Sequence, residues 1–173
     1  MEHVMATSAA KQSSESTLSE GDKAPDFHLK TDGGGDISLS KLKGKNIVLY
    51  FYPKDDTPGC TCEAKDFTAS YKDFEKANTV ILGVSKDDPA SHDKFKEKYS
   101  LVFPLGSDTT GEVCEAYGVW KEKSMYGRKY MGIERTTFLI GPDSKILKIY
   151  PKVKVTGHVT EIMSDLKEMK TRL

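Results

Sequence analysis

The chain has 173 residues, enough for one domain with a substantial core, and its 37% hydrophobic and 30% charged residues are typical of a soluble globular protein. The 26 basic and 26 acidic residues balance, so the charge does not favour binding to nucleic acid or to an anionic membrane. No apolar stretch approaches the length of a membrane span. Three cysteines are too few for a secreted disulfide framework, which favours a reducing cytoplasm.

The start of the chain differs in composition from the rest. Residues 1–19 are rich in Ser, Ala, Thr and Glu and lack the apolar segment of a secretory signal. We predict a disordered tail over 1–19 and a single domain over 20–173. Within the domain, the Gly- and Asp-rich turn at 31–36 predicts the tip of an N-terminal hairpin.

Beyond this hairpin the apolar pattern predicts alternating strands and helices. The run 46–52 is nearly all apolar and β-favouring, which is typical of a central strand buried on both faces. The other predicted strands are Thr79–Ser85, 102–105, Thr136–Ile140 and Ile146–Tyr150, and the predicted helices are 60–76, Pro89–Tyr99, 110–117 and 159–169. The charged residues 121–123 read as solvated turns and 124–127 as a loop. This order predicts an α/β fold with a mixed central sheet and helices on both sides.

Cys60 stands at the junction between the strand 46–52 and the helix that follows. Helix N-termini carry partial positive charge, which stabilises a thiolate and makes a nucleophile. Pro58 and Gly59 break the chain before it and allow close approach of a ligand. The hydroxyl of Thr57 is placed to share hydrogen bonds with a small polar substrate. A small buried cysteine without chemistry is the plainer alternative, but loops at strand ends commonly carry chemistry.

The motif Pro53-x-x-x-Thr57-x-x-Cys60 resembles the active-site motif of peroxiredoxins. The longer string 51–61, FYPKDDTPGCT, resembles the bacterioferritin-comigratory-protein or Q-type subfamily. The similarity continues through GDKAPDF at 21–27, YGVW at 117–120, MYG at 125–127 and GIERTTFLI at 132–140. It therefore covers nearly the whole predicted domain.

The resemblance implies a thioredoxin-like fold and reduction of hydrogen peroxide and organic hydroperoxides, with Cys60 as the peroxidatic cysteine. It implies that Arg135 supplies positive charge to the thiolate and polarises the peroxide, that Thr57 orients the peroxide, and that Pro53 shields the sulfur from water. Arg135 also stands out because arginine is rare here, with three among 26 basic residues. We expect no cofactor and no metal ion. Relatives of this subfamily are often monomeric, so we expect a monomer or a weak dimer.

The chain lacks a cysteine at both usual resolving positions of the subfamily. Lys65 occupies the position five residues after Cys60, and no cysteine occurs in Pro89–Tyr99. We therefore hypothesise one-cysteine chemistry, in which thioredoxin, glutaredoxin or a small thiol reduces a sulfenic acid on Cys60. Resolution through Cys62 or Cys114 is the alternative. Cys62 follows too closely on the same helix to bond without local unwinding, and Cys114 reads as a core residue.

Three other functions compete with a peroxidase. A metal module built on Cys60-x-Cys62 lacks further ligands, because the four histidines are scattered. A thioredoxin-like disulfide reductase would need Cys-x-x-Cys spacing. Composition alone does not distinguish an enzyme from a holdase or a scaffold.

Overall fold

The computed structural model of the protein describes residues 18–172, so residues 1–17 of the predicted tail lie outside the described part. The strands are β1 (His28–Thr31), β2 (Asp36–Ser38), β3 (Asn46–Phe51), β4 (Thr79–Ser85), β5 (Leu105–Ser107), β6 (Trp120–Met125), β7 (Arg128–Ile133), β8 (Thr136–Ile140) and β9 (Ile146–Tyr150). The helices are α1 (Pro58–Ala69), α2 (Tyr71–Lys76), α3 (Pro89–Tyr99), α4 (Glu112–Ala116) and α5 (His158–Arg172). Across residues 18–172, no helix combines the length and the apolar character that crossing a membrane requires.

Seven strands form one mixed sheet in the order β2-β1-β5-β4-β3-β8-β9. The three central strands β3, β4 and β5 are parallel, because α1 and α2, and then α3, carry the chain back across the sheet between them. Strands β8 and β9 add antiparallel neighbours on one side, and the hairpin β1–β2 adds them on the other. This arrangement confirms the predicted mixed sheet with its N-terminal hairpin.

The sheet separates two apolar clusters, and β3 contributes alternate residues to each. Its residues Ile47, Leu49 and Phe51 face the first cluster, together with α4 and the N-terminal segment. Val48, Tyr50 and Tyr52 face the second cluster, together with α1, α2, α3 and α5. The alternation follows from the two-residue period of a strand, and burial on both faces explains why this strand is almost continuously apolar.

Several predicted elements have different bounds in the structure. The helix predicted over 60–76 is two helices that break at Ser70, whose N–H bonds the carbonyls of Asp66 and Phe67. The strand predicted over 102–105 lies at Leu105–Ser107, because Pro104 has no N–H for a sheet ladder. Leu18 already packs against the first cluster, two residues before the predicted start of the domain.

The predicted turns over 121–123 and loop over 124–127 are wrong for residues 121–125, which belong to strand β6 of the β6–β7 hairpin, while 126–127 do form a turn. The hairpin forms its own two-stranded sheet, in which Trp120 pairs with Ile133 and Met125 with Arg128. Its tip residues Tyr126 and Gly127 both have positive φ, 53° and 80°, as a tight turn of type I′ requires. Tyr-Gly is a weaker signal for this turn than Asn-Gly, and charged residues obscure the strand pattern.

A close contact inside the second cluster sets how deeply α1 lies on the sheet. The ring of Tyr50 on β3 stacks on Phe67 of α1, with the ring centroids 4.7 Å apart. On its other side the ring covers Gly83 of β4, where a Cβ would lie 2.8 Å from Cζ of Tyr50. The missing side chain at Gly83 therefore lets the aromatic layer under α1 lie flat on the sheet.

Replacing Gly83 with alanine tests this contact. We expect Gly83→Ala to lower the free energy of unfolding by about 1–3 kcal/mol, because the held Tyr50 ring cannot move away from the added methyl group. Urea unfolding measures the loss. Gly106→Ala is the matched control, since its Cβ would meet the end of the flexible Leu29 side chain at 3.0 Å. Equal losses in the two variants would contradict the role given to Tyr50.

Candidate active site

The candidate site lies where the chain leaves β3 and enters α1. Residues 53–57, here called the entry loop, connect Tyr52 to a helix that begins at Pro58. Proline suits a first helical position, because the first N–H groups of a helix have no partner within it. Thr57 precedes the helix with extended backbone, and its carbonyl accepts from Thr61 N at 2.8 Å. Cys60 is the third helical residue, so its sulfur lies within the first turn, at the positive end of the helix dipole.

Arg135 is brought to Cys60 by the pairing of β3 with β8. Phe51 at the end of β3 pairs with Thr136 at the start of β8, so the preceding Arg135 lies beside the entry to α1. Its Nη2 donates to Cys60 Sγ at 3.4 Å. Cys60 is 1% exposed, and the contact is therefore screened from bulk water. A Cβ on Gly59 would lie 3.1 Å from the same Nη2, so the glycine makes room for the guanidinium.

Glu63 completes this cluster and was missed in the sequence analysis. Its Oε1 accepts from Arg135 Nη1 at 2.7 Å, and the residue has no exposed surface. Burial raises the pKa of Glu63 to about 7, although the charge of Arg135 opposes the shift. Its Oε2 has no hydrogen-bond partner within the described part of the chain. The sequence did contain a feature that could have identified Glu63: an acidic residue lies one helical turn after Cys60, on the apolar face of the predicted helix.

The guanidinium of Arg135 thus joins a buried sulfur and a buried carboxylate. Burial by itself would lower the pKa of Arg135, but the negative charges of Cys60 and Glu63 outweigh burial and raise it. Arg135 therefore stays cationic, and its planar fork sets the orientation of both partners. Glu63 keeps the arginine from turning away from the sulfur.

Thr57 and Pro53 lie on the entry loop and are half-buried. Thr57 Oγ1 donates to the carbonyl of Lys54 at 2.8 Å. A hydroxyl has one proton, and this bond uses it, so the oxygen of Thr57 is left as an acceptor. Within residues 18–172, hydrogen bonds join Cys60, Arg135 and Glu63, while neither Thr57 nor Pro53 bonds Cys60 directly.

Lys123 of the β6–β7 hairpin is half-buried near this cluster, where a solvated lysine was predicted. Its Nζ donates to the carbonyl of Ile133 at 2.6 Å. Burial lowers the pKa of Lys123, and Arg135 lowers it further, while Cys60 acts in the opposite direction. The hairpin therefore adds positive charge beside the site.

The other two cysteines differ sharply in their surroundings. Cys62 is exposed on α1. Cys114 on α4 has no exposed surface and lies in the first apolar cluster, whereas Cys60 lies in the second, so the sheet separates them. Burial and the hydrogen bond with Asp108 raise the pKa of Cys114 well above the ordinary range of a thiol.

Within residues 18–172, no three His, Cys, Asp or Glu side chains are grouped to hold a metal ion.

Comparison with known proteins connects this geometry to a family. Residues 20–149 match the model of the AhpC/TSA family. Peroxiredoxin Bcp of Bacillus subtilis is 52% identical over 153 residues, which cover 88% of this chain and 98% of the relative. The structure of a Xylella fastidiosa PrxQ mutant superposes with a TM-score of 0.85 at 41% identity, covering 90% of this chain and 99% of that one. A Xanthomonas campestris peroxiredoxin Q structure gives a TM-score of 0.79 at 46% identity, covering 82% and 90%.

These matches confirm the predicted thioredoxin-like fold and the resemblance read from the motif. The family model matches from before the first β-hairpin to the next-to-last residue of β9. The chain therefore belongs to the AhpC/TSA family, among the Bcp or Q-type peroxiredoxins, and has the thiol-dependent peroxidase activity of that group.

Proposed function

We propose that Cys60 is the peroxidatic cysteine, and that the protein reduces hydrogen peroxide and organic hydroperoxides to water and alcohols. The observation that carries this proposal is the hydrogen bond from Arg135 Nη2 to the buried sulfur of Cys60 at 3.4 Å, in the first turn of α1. Guanidinium and helix N-terminus together favour the thiolate, which is the nucleophilic form of the side chain.

The oxidation step needs one thiolate, one peroxide and one proton. The sulfur of Cys60 bonds to one peroxide oxygen, and the O–O bond breaks with its electron pair on the other oxygen. That oxygen takes the proton and leaves as water or an alcohol, while Cys60 becomes a sulfenic acid. Arg135 stabilises the negative charge that develops on the leaving oxygen. Its position is held by Glu63, so it does not have to reorganise during the step.

Thr57 and Pro53 are proposed to shape the peroxide site from the entry loop. Because the Thr57 proton is donated to Lys54, its oxygen can accept the O–H of a hydroperoxide. This contact holds the O–H-bearing oxygen beside the sulfur. The sulfur attacks that oxygen, which stays on Cys60 as the sulfenic acid, and the other oxygen leaves as water or an alcohol. The ring of Pro53 limits the access of water to the thiolate.

We propose one-cysteine chemistry for the return step. An external thiol attacks the sulfenic acid, forms a mixed disulfide with Cys60 and releases water; a second thiol then releases reduced Cys60 and a disulfide. Cys114 is poorly suited as the internal partner because the sheet lies between it and Cys60. Cys62 is exposed but points to a different side of α1. Thioredoxin, glutaredoxin and small thiols are candidate reductants, which suits a reducing cytoplasm.

Removing both remaining cysteines tests the return step. We expect the double variant Cys62→Ser, Cys114→Ser to keep full turnover with an external thiol, because neither residue forms the intermediate. Peroxide consumption in the presence of each candidate reductant is the measurement, with Cys60→Ser as the inactive control. Loss of turnover in either single variant would identify an internal resolving cysteine.

Replacing Arg135 with lysine tests the charge at the sulfur. Lysine keeps a positive charge but loses the fork that reaches Cys60 and Glu63 together. We expect the second-order rate of Cys60 oxidation to fall about 100-fold, in the range of losing one donor to a developing oxyanion. Stopped-flow fluorescence with hydrogen peroxide measures this rate. Arg128→Lys at the exposed hairpin tip is the control and should react like the unaltered protein.

The buried carboxylate predicts a pH dependence of stability. The pKa of Glu63 is about 7 in the folded state and 4.5 as its ordinary value, so the folded state binds the extra proton between these values. Stability contributed by this group therefore falls as the pH rises from 4.5 to 7. We expect the free energy of unfolding of the unaltered protein to fall across this range relative to Glu63→Gln, in urea titrations at several pH values. A constant difference would show that Glu63 does not titrate there.

A further inference from the structure

His92 of α3 is a second buried charge near the active site, and its hydrogen bonds fix its protonation state. The residue has no exposed surface. Its Nδ1 lies 2.7 Å from Asp55 Oδ2, and its Nε2 lies 2.9 Å from the carbonyl oxygen of Gly106. A carboxylate and a carbonyl both accept hydrogen bonds, so each ring nitrogen must donate. His92 is therefore an imidazolium.

Asp55 is the matching anion, and both of its oxygens accept hydrogen bonds. Oδ1 accepts from Tyr52 OH at 2.6 Å, and Oδ2 accepts from Ser91 Oγ at 2.8 Å as well as from His92. The Asp55 backbone N–H donates to Asp87 Oδ2 at 2.8 Å. The side chain of Asp55 is 4% exposed. Removing either partner of such a pair leaves the other charge buried without compensation, so the two residues depend on each other.

The pair ties the entry loop to α3. Asp55 lies in the middle of that loop, two residues before Thr57 and two after Pro53. The next residue, Asp56, has a left-handed backbone with φ 58° and accepts from Lys98 and Tyr99 at the other end of α3. Those outer contacts are exposed and contribute little. The inner pair, with the surrounding bonds of Asp55 to Tyr52, Ser91 and Asp87, is therefore better placed than the outer contacts to hold the loop in one place.

We propose that the buried His92–Asp55 ion pair is a positioning pair, which holds the entry loop in place over the sulfur of Cys60. It does not touch the peroxide. It acts by keeping the Thr57 oxygen and the Pro53 ring where the proposed function needs them, and so the inference rests on that function. Because the pair is neutral overall, it does this without adding net charge beside the thiolate.

The proton on His92 is part of this arrangement. Burial acts to lower the pKa of His92, but the hydrogen bond and charge of Asp55, the carbonyl of Gly106 and the charge of Asp87 outweigh it and raise the pKa. Tyr52 faces the pair from the end of β3, and burial holds its pKa far above neutrality, so it stays un-ionised. The stability that His92 contributes is thus complete below its ordinary pKa of 6.5 and is lost as the pH rises through its raised folded value.

The test compares two reactions of the same sulfur. Iodoacetamide needs a thiolate but no aligned peroxide. In the Cys62→Ser, Cys114→Ser background, which removes the exposed Cys62, it therefore reports ionisation and access of Cys60 alone. In His92→Gln we expect the rate with hydrogen peroxide to fall about tenfold, while the rate with iodoacetamide changes less than about twofold. His158→Gln is the matched control: His158 is also buried, bonds Thr137 Oγ1 at 2.8 Å, and burial lowers its pKa to about 4, so it is neutral. It should keep the ratio of the two rates.

If the peroxide rate and the iodoacetamide rate changed in parallel in His92→Gln, so that their ratio stayed the same, the positioning role would be overturned. If His92→Gln does not fold, Asp55→Asn tests the same pair from the loop side and should lower the ratio equally. Failure of the proposed function looks different, because the unaltered protein would then be alkylated at Cys60 but would not react with peroxide.

The pH dependence of stability distinguishes a charged His92 from a neutral His92 that only fills space. The difference in unfolding free energy between the unaltered protein and His92→Gln should be largest near pH 6 and should shrink as the pH rises toward 9. The difference for His158→Gln should change in the opposite direction: it should grow between pH 6 and about 7.5, where only the unfolded state still binds the proton, and then stay constant. A constant difference for His92→Gln would show that the residue is uncharged and would overturn the ion pair.

Discussion

The buried fork of Arg135 is the interaction on which the site depends. One arm reaches the sulfur of Cys60 and the other reaches Glu63, so a single guanidinium contacts two buried groups at once. This contact also joins the first turn of α1 to the strand β8. The register between β3 and β8 therefore matters chemically, because a shift of one residue would send Arg135 to the opposite face of the sheet.

The second cluster supports this contact from below. Through its residue Phe67, α1 stacks on the ring of Tyr50, and Gly83 leaves the space in which Tyr50 lies. The entry loop is held separately, by the Asp55 carboxylate against α3. The sulfur, its cation and the loop above it are thus positioned by three different parts of the fold. Since β8, the aromatic layer under α1 and helix α3 each hold one component, a change in one of them leaves the other two contacts in place.

Much of this arrangement was predictable from local sequence. The strands Thr79–Ser85, Thr136–Ile140 and Ile146–Tyr150 and the helix Pro89–Tyr99 have the predicted bounds, because each carries a strong apolar pattern and clear turn residues at its ends. Cys60 was singled out by its place between a buried strand and a helix. The motif and the Arg135 strand segment then identified the family, which the comparisons confirm.

What the sequence could not show are contacts between distant segments. Asp55 and His92 are 37 positions apart, and no local pattern connects them. Arg135 and Cys60 are 75 positions apart, and it was the family resemblance, not a local pattern, that connected them. Glu63 reads as an ordinary charged residue on a helix until burial is known. The β6–β7 hairpin was missed because its strands are charged and half-exposed. The two strands pair only with each other, so no buried apolar face marks them in the sequence.

The sheet between Cys60 and Cys114 also has a consequence for handling the protein. In a folded monomer the two thiols lie under different layers of side chains, and no rotation of either residue can bring the sulfurs together. A crosslink between these positions within one chain can form only after the strands have come apart. Detected by peptide mapping of the monomer fraction of an oxidised sample, that crosslink would mark the molecules that had unfolded during storage.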